Sequence, residues 1–242
     1  MLLSEDLRFA VRGRLRVNMN SVFADGDAIR LDATSTVVQP RELGFGVIRY
    51  SHPIGDKGAE AGFSVGHSEF HPGGRLRSFD TQGTSTSASL FASYPLLRSR
   101  DASLWLNGEV AWLEVNQNQL STAVVRDRMS TASLWLYANI KLGSGRLRGG
   151  ITLTRGLGVL DATRVGSFTA SRFDGDARFT KGNLWLGWYG DLGKRFTLNV
   201  GMLAQLASRP LLAAQELGFG GPGYGRAYDF SERTGEDGIM GK

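Results

Sequence analysis

The sequence predicts an all-β protein, specifically an antiparallel up-and-down β-barrel. Three observations lead to this prediction: apolar and polar residues alternate with period two over many segments, short turns alternate with longer connections, and no run approaches the roughly 18 apolar residues of a membrane-spanning helix. One barrel domain accommodates a chain of 242 residues. The 33 glycines, six prolines and 41% hydrophobic content exclude a collagen-like chain and disfavour a disordered one.

The first predicted strand, residues 7–19, shows the alternation in its clearest form. Its apolar side carries Leu7, Phe9, Val11, Leu15, Val17 and Met19. Its polar side carries Arg8, Arg12, Arg14, Arg16 and Asn18. Strict period two is the signature of a strand with two unlike faces, because a helix would spread both sets around its circumference.

The same pattern recurs along the chain and predicts about ten strands. They cover residues 7–19, 28–37, 43–50, 59–70, 83–94, 102–113, 131–142, 146–154, 178–190 and 195–207. The sequence EVNQNQLSTAVVRDR, residues 114–128, is predicted to be a long loop, as is the segment 155–176. Residues 1–207 are thus expected to form barrel strands with their connections, and residues 208–242 a glycine-rich loop of the same domain.

The connections indicate which kind of barrel this is. The turns HPIGDKG, PLLRSRD, LGSGR and GDLGK fall at one rim, and the longer connections fall at the other. Bacterial outer-membrane barrels place short turns in the periplasm and long loops outside the cell. The polar side is rich in Arg, Asn, Ser, Thr and Gly, which suits a water-filled lumen. The outer face of a soluble β-protein is expected to carry many Lys and Glu instead. The sequence therefore favours a transmembrane barrel in the outer membrane, while a soluble barrel that binds a small apolar ligand remains an alternative.

Composition and motifs argue against several other functions. The net charge of +5 comes with arginines spread through alternating segments, which disfavours a nucleic-acid partner. The chain has no cysteine, no phosphate-binding GK[ST] loop and no nucleophile elbow, so we expect neither an enzyme nor a cofactor. Asp174 and Asp176 are interpreted as a solvated loop or a calcium-like surface site. His67, Glu69 and His71 share parity at a strand end, where a wetted rim is favoured over a metal site.

A short recurrence supports a repeated hairpin plan. The tetrads SLWL at 103–106, SLWL at 133–136 and NLWL at 183–186 each put leucines on the apolar side and a tryptophan on the polar side. We interpret them as strand-forming tetrads that a meander uses again, in preference to a ligand site at the tryptophans.

The most unusual stretch is ELGFGGPGYGRAYDFSERTGED, residues 216–237. Its glycines leave the backbone free to adopt positive φ and to pack closely against another surface. So few side chains cannot form a core of their own. If the stretch is ordered, another part of the molecule must enclose it.

Three segments resemble a known family. They are YPLLRSR at 94–100, RGLGVLDA at 155–162 and above all SRPLLAAQELGFGGPGYGRAYDFSERTGEDG from Ser208 onward. They are similar to the barrel of two-partner secretion transporters, the haemolysin activation/secretion or TpsB proteins of the outer-membrane assembly superfamily. The resemblance runs over most of the chain.

The resemblance implies a sixteen-stranded barrel preceded by periplasmic POTRA domains. It further implies export of a large β-helical haemolysin or adhesin partner without nucleotide hydrolysis. In that family the sixth extracellular loop folds back into the lumen, and an arginine-glycine-aromatic tip pairs with an acid on the inner wall. Arg226, Ala227 and Tyr228 match that tip, with alanine in place of the usual glycine.

The expected molecule is therefore a monomeric outer-membrane pore, and the chain is expected to be a fragment of the complete barrel. A barrel-assembly factor of the same superfamily and a passive porin are the alternative functions. The residues expected to line the pore are Arg8, Arg12, Arg14, Arg16, Arg30, Glu60, Glu109, Arg146 and Arg148. The residues expected at the loop tip are Gly220, Gly221, Arg226, Tyr228 and Asp229. A secreted exoprotein and outer-membrane lipid are the expected partners.

Overall fold

Long antiparallel strands make up most of the chain in the computed structural model, which describes residues 11–37, 42–71, 80–221, 223–225 and 231–242. The first ten are β1 (Arg12–Asn20), β2 (Ala28–Thr36), β3 (Leu43–Ile54), β4 (Ala59–Phe70), β5 (Thr81–Arg98), β6 (Ala102–Gln119), β7 (Thr122–Leu142), β8 (Gly145–Leu157), β9 (Thr180–Leu192) and β10 (Phe196–Ala207). A 3-10 helix (Ala213–Gln215), β11 (Leu217–Phe219), β12 (Arg233–Gly235) and β13 (Gly238–Gly241) follow.

Eleven of these strands form one sheet in which chain neighbours pair. The order runs from β1 to β10 and ends with β13, while β11 and β12 form a separate two-stranded hairpin. Among the described residues β1 and β13 are the two edges, so the sheet is open. The predicted partial, up-and-down antiparallel barrel is confirmed. The sheet has one strand more than the ten predicted, because β13 is only four residues long and too short to show alternation.

The period-two pattern gives the sheet two unlike faces. On one of them large apolar side chains are open to the surroundings, such as Leu90 with 67% and Ile239 with 77% of its surface exposed. We call this the apolar face and the opposite one the polar face. A continuous exposed apolar surface on this scale suits contact with lipid and not with water.

The register shows that neighbouring strands are staggered. One row of directly paired residues crosses eight strands through Met19, Ile29, Tyr50, Phe63, Leu90, Val110, Ala132 and Arg155. The row starts beside the β1–β2 turn at one end of the sheet. It finishes near Leu157, where β8 ends at the opposite end of the sheet. Such a climb is the stagger that closing a tilted sheet into a barrel requires.

The two ends of the sheet differ as predicted in their connections. At the lower rim β3–β4, β5–β6, β7–β8 and β9–β10 are joined by residues 55–58, 99–101, 143–144 and 193–195. At the upper rim β8–β9 and β10–β13 are joined by residues 158–179 and 208–237. In the described residues no helix is both long and apolar enough to span a membrane.

The predicted loop at 114–128 is wrong. Almost all of it is strand, since β6 continues to Gln119 and β7 starts at Thr122. Leu120 and Ser121 make the turn with φ of 49° and 62°, the left-handed values of a tight hairpin turn. Because this hairpin extends past the end of β8, it lacks a purely apolar side, and the alternation that identifies the other strands is missing.

Smaller differences concern strand ends. β3 continues to Ile54 and β5 spans Thr81–Arg98, so part of each predicted turn is strand. The PLLRSRD turn shrinks to residues 99–101. The division of the domain at residue 208 stays a prediction, although residues 238–241 join the main sheet by pairing with β10.

Candidate functional site on the polar face and upper rim

The arginines predicted on the first two strands lie together on the polar face. Arg14 Nη2 is 3.0 Å and Arg16 Nε 2.7 Å from Asp32 Oδ1, and Asp32 itself is buried. Arg30 donates from Nε to Asn18 Oδ1 at 3.0 Å, and exposed Arg12 pairs in register with Thr36. Arg8 lies outside the described residues. A single aspartate thus serves two arginines, which leaves this part of the wall positively charged.

The remaining predicted wall residues occupy the same face at other positions. Glu109 pairs in register with Ser133, and Glu60 with Ser93. Arg146 donates from Nε to Asn139 Oδ1 at 2.9 Å, and Arg148 is the register partner of the same asparagine. The sequence prediction missed Arg49, whose guanidinium carbon lies 3.4 Å from the centroid of the Phe91 ring. Their role in lining a pore stays a prediction.

The three repeated tryptophans also lie on the polar face, as their tetrads predict. Trp105 is the register partner of Tyr137, and Trp185 lies across Gly150 from that tyrosine. Tyr137 and Trp185 stack with ring centroids 6.0 Å apart, and Trp135 lines the same depression. Gly150 makes this possible, because the indole of Trp185 occupies the space beside its Cα.

The glycine-rich segment folds onto the polar face. The Gln215 carbonyl accepts hydrogen bonds from Lys181 Nζ at 3.0 Å and from Gln205 Nε2 at 3.3 Å. Farther along, the Tyr224 hydroxyl would be 3.3 Å from a Cβ built at Gly201, in the middle of β10. Lys242 Nζ lies 5.1 Å from the Tyr224 ring centroid. The segment therefore reaches from the upper rim well down the polar face.

The shape of the segment depends on its glycines. Gly220 and Gly221 have φ of 118° and 87°, values that other residues rarely adopt. The Gly220 amide donates to the Tyr224 carbonyl at 3.0 Å. Strands β11 and β12 pair across the base of this hairpin through Leu217 and Gly235. The predicted tip residues Arg226, Tyr228 and Asp229 lie outside the described residues.

A small apolar core closes the upper rim over the polar face. We call it the rim cluster: Met129, Ala177, Phe179, Leu211 and Leu212, all with 1% or less of their surface exposed. Met129 comes from the β6–β7 hairpin, Ala177 and Phe179 from the end of the β8–β9 loop, and the two leucines from the start of the β10–β13 loop. The three upper-rim elements therefore share one core.

Backbone hydrogen bonds attach the β8–β9 loop to the free edge of β7. The Arg126 amide donates to the Thr169 carbonyl at 2.6 Å, and the Thr163 amide to the Arg128 carbonyl at 2.9 Å. The buried Asp127 carboxylate accepts from the Ser171 amide at 3.1 Å. Above Leu157 β8 no longer pairs with β7, and the loop covers this edge of β7. The edge is therefore closed to pairing with a strand of another molecule.

Arg172 links the two long loops electrostatically. Its guanidinium pairs with Asp174 at 2.8 Å, with Glu236 at 2.7 Å and with Glu216. The Glu216 side chain is only 8% exposed. Asp174 and, after it, Glu216 and Glu236 raise the pKa of Arg172, so the group stays charged at any accessible pH.

Asp176 forms a second ion-pair centre beside the first. Its carboxylate is 2.9 Å from Arg178 Nη2 and 3.5 Å from Arg209 Nη1, and the hydrogen bond from Arg178 holds the pKa of Asp176 below its usual range. Asp174 and Asp176 are therefore ion-pair partners of arginines.

No cluster of three possible metal ligands occurs within the described part of the chain. His67 contacts Thr86 at 2.9 Å and Glu69 at 3.2 Å, whereas His71 contacts Asp80 at 3.3 Å.

Acid is expected to loosen this rim. The pKa of Glu236 is lowered by its own backbone amide and by Arg172, and that of Asp176 by Arg178. Each carboxylate therefore stabilises the folded rim above its unfolded pKa of about 4, and this contribution is lost as the pH falls through the folded value. Cleavage within residues 163–175 by an acid-active protease should rise sharply between pH 5 and pH 3, relative to an unfolded peptide standard. An Asp176→Asn variant should already be loosened at pH 5; equal cleavage at both pH values would contradict the expectation.

Sequence reasoning did not find the rim cluster, Arg172 or Lys181. Lys181 begins a strand whose alternation was recognised, but its bond to Gln215 depends on how a distant loop folds. Arg172 lies in a loop with no periodicity, and two of its three partners are 44 and 64 residues away in the sequence. Only the alternation of acid and arginine in SRFDGDAR marks the region.

Solved structures with the same architecture are outer-membrane barrels. CdiB from Escherichia coli matches with a TM-score of 0.79 and 16% identity over 95% of this chain and 43% of its own. CdiB from Acinetobacter baumannii matches with 0.72 and 20% over 95% and 42%. BamA from Haemophilus ducreyi lacking POTRA domains 1–3 matches with 0.61 and 11% over 95% and 49%. The chain thus spans less than half the length of these proteins. No curated protein sequence is detectably similar to it.

The fold defines the class of protein, an outer-membrane β-barrel of Gram-negative bacteria. The model of the haemolysin secretion/activation protein family ShlB/FhaC/HecB matches residues 10–241. The chain belongs to that family, and the predicted resemblance to two-partner secretion transporters is confirmed.

Proposed function

We propose that this chain forms the wall and the lumenal loop of a pore that exports a large β-helical haemolysin or adhesin across the outer membrane. The observation that carries the proposal is the fold of residues 213–221 and 223–225 onto the polar face, where Gln215 meets Lys181 and Tyr224 meets Gly201. A loop in that position controls the space through which a polypeptide would pass. The role is transport without a catalytic site or a cofactor.

The charged residues of the polar face provide a hydrated path in this proposal. Ionised groups are costly beside a dry core but stable beside water. Arg14 and Arg16 share one carboxylate, Asp32, and Arg12 and Arg30 lie on the same two strands, so this wall attracts acidic segments of a passing chain. The residues proposed for the rest of the path are Glu60, Glu109, Arg146 and Arg148, with Arg8 beyond the described part.

The glycine-rich loop acts as a brace in this proposal. Its base is held by the β11–β12 hairpin, by Gln205, which donates to the Glu236 carbonyl at 2.8 Å, and by the Arg172 ion pairs. The proposed tip residues, Arg226, Tyr228 and Asp229, follow Gly225 in the sequence and lie outside the described residues. During export either the loop moves aside or the exported partner passes beside it.

The proposal is tested in cells that express the protein with its partner, and in planar bilayers. Tyr224→Ala and Arg226→Ala are expected to raise the open-pore conductance and to lower the amount of secreted partner severalfold, because both weaken the seating of the loop. Tyr94→Ala, which changes a tyrosine on the apolar face, serves as the matched control. If neither loop variant changes conductance or secretion, the bracing role is wrong.

A barrel-assembly role is the second candidate, because the fold also matches BamA with a TM-score of 0.61. The two functions differ in which other proteins are lost when this protein is depleted. Loss of a single secreted partner with normal levels of other outer-membrane barrels supports export. A general fall in outer-membrane barrels would support the assembly role.

A further inference from the structure

One arginine interrupts the apolar face. Arg155 pairs in register with Ala132 and Thr180, in the same row as Leu90 and Val110, and its side chain is exposed. It lies two residues below the upper end of β8, where the lipid surface meets the headgroups. Arg155 Nη1 donates to Thr180 Oγ1 at 2.6 Å, and it forms no ion pair with any residue that the structure describes. A cation on a lipid-facing surface is stabilised near the interface by an anionic headgroup.

An apolar groove begins two residues further along β8 on the same face, at Leu157. It has a volume of about 390 Å³ and is lined by Val65, Leu90, Val110, Leu157, Val159 and Leu160. The Ala88 side chain is small and leaves room at its floor. Leu160 and Asp161 hold left-handed φ of 55° and 56°, an uncommon conformation for such residues, and this turn places Leu160 at the groove's edge.

Further cations border the upper end of the groove. The stem of Arg178 packs over Gly158, between the groove residues Leu157 and Val159, at 3.1 Å from a Cβ built there. Arg178 shares the single carboxylate of Asp176 with Arg209. On the opposite side, Arg128 neutralises Glu114 at 2.7 Å and meets Asp161 at 3.6 Å. Four guanidinium groups thus face three carboxylates, which leaves a net positive charge, and Arg155 is the arginine among them that has no ion pair within the described residues.

Hydroxyl groups complete a set of anion-binding donors around Arg155. Thr180 Oγ1 is its direct partner, and the Thr180 amide donates to Ser208 Oγ at 3.0 Å. A phosphate placed beside Arg155 would meet the Thr180 hydroxyl and a guanidinium fork, whose geometry matches phosphate. An acyl chain attached to that phosphate would lie along the apolar groove.

We propose that this surface binds a phosphorylated, acylated lipid of the outer leaflet, with its phosphate at Arg155 and Arg178 and one acyl chain in the groove. The charge selects an anionic headgroup, and the exposed apolar lining selects a lipid over a soluble phosphate. The site is on the outside of the wall. It is therefore independent of the export path on the polar face.

The proposal is tested by extracting the full chain from outer membranes in mild detergent and quantifying the retained lipid by mass spectrometry. Arg155→Gln is expected to retain about tenfold less lipid A, since a hydrogen bond to a charged group is lost. Ala88→Phe, which fills the groove, should reduce retention severalfold with all arginines intact. Arg195→Gln, at the lower rim, is the matched control and should retain lipid A as the unmodified chain does. Circular dichroism checks the strand content of each variant, and Arg178→Gln replaces any variant that fails to fold.

Competition separates the possible sources of phosphate. Added lipid A should displace the retained lipid, whereas zwitterionic phosphatidylethanolamine and inorganic phosphate at equal concentration should not. Displacement by inorganic phosphate would show a simple anion site and overturn the lipid proposal. Equal lipid retention by Arg155→Gln, Ala88→Phe and Arg195→Gln would overturn it as well.

Discussion

Replacing Phe179 with alanine is expected to lower the free energy of local opening at the upper rim by about 3–5 kcal/mol, the usual cost of emptying a buried aromatic site. Phe179 has none of its surface exposed and packs with Met129, Leu211 and Leu212. Three separate chain segments meet at this ring, so its removal leaves a cavity that none of them can fill alone.

Hydrogen exchange measures this effect directly. The Arg126 and Thr163 amides donate to backbone carbonyls across the junction of the loop and the hairpin, and the Ala177 amide donates to the Thr163 carbonyl within the loop. Their protection should fall by roughly a hundredfold or more in the variant. Phe168→Ala in the same loop is the control, because Phe168 is 95% exposed and should change protection little. Similar losses in the two variants would contradict a stabilising role of the rim cluster.

Arg172→Met is expected to release the β10–β13 loop from the β8–β9 loop. It leaves Glu216, with 8% of its side chain exposed, as a carboxylate without its counter-charge. Breaking a fully buried pair from one side costs about 3–5 kcal/mol, and because the Arg172 side chain is 26% exposed we expect about 2–3 kcal/mol.

The measurement is hydrogen exchange in residues 213–219 and 233–241, which the ion pairs hold against the sheet. Arg164→Met, at an exposed position of the same loop, is the control and should leave protection unchanged. The double variant Arg172→Met/Glu216→Gln should recover part of the loss, because it removes the stranded charge. If Arg172→Met and the double variant lose the same amount of protection, the arginine acts only through packing.

Alternation predicted the strands wherever the sheet has one lipid side and one wet side. β10 is an example, since Leu206 faces out and Gln205 faces in, as the sequence indicates. Alternation failed to predict residues 114–128, because their hairpin extends past the end of β8 and packs against the β8–β9 loop. There the hairpin turn at Leu120 and Ser121 contains no glycine or asparagine, so turn chemistry also gave no signal.

The candidate site was predictable only in part. The face of Arg14, Arg16 and Arg30 follows from parity, and the glycine-rich loop's need for an enclosure follows from its composition. The contacts that hold the loop could not be predicted from the sequence. They join segments that are far apart in the chain, as in the pairs Arg172–Glu236 and Lys181–Gln215. Only the fold brings those partners together.

The β6–β7 hairpin has a consequence for how the protein enters the membrane. Its upper half carries Glu114, Arg126, Asp127 and Arg128, and these charges must cross the hydrocarbon layer before the strands below them can settle. Transfer of charged side chains through lipid is slow because each one costs several kcal/mol at the bilayer centre. This hairpin therefore adds to the kinetic barrier to spontaneous insertion, together with the charged loops of the same rim.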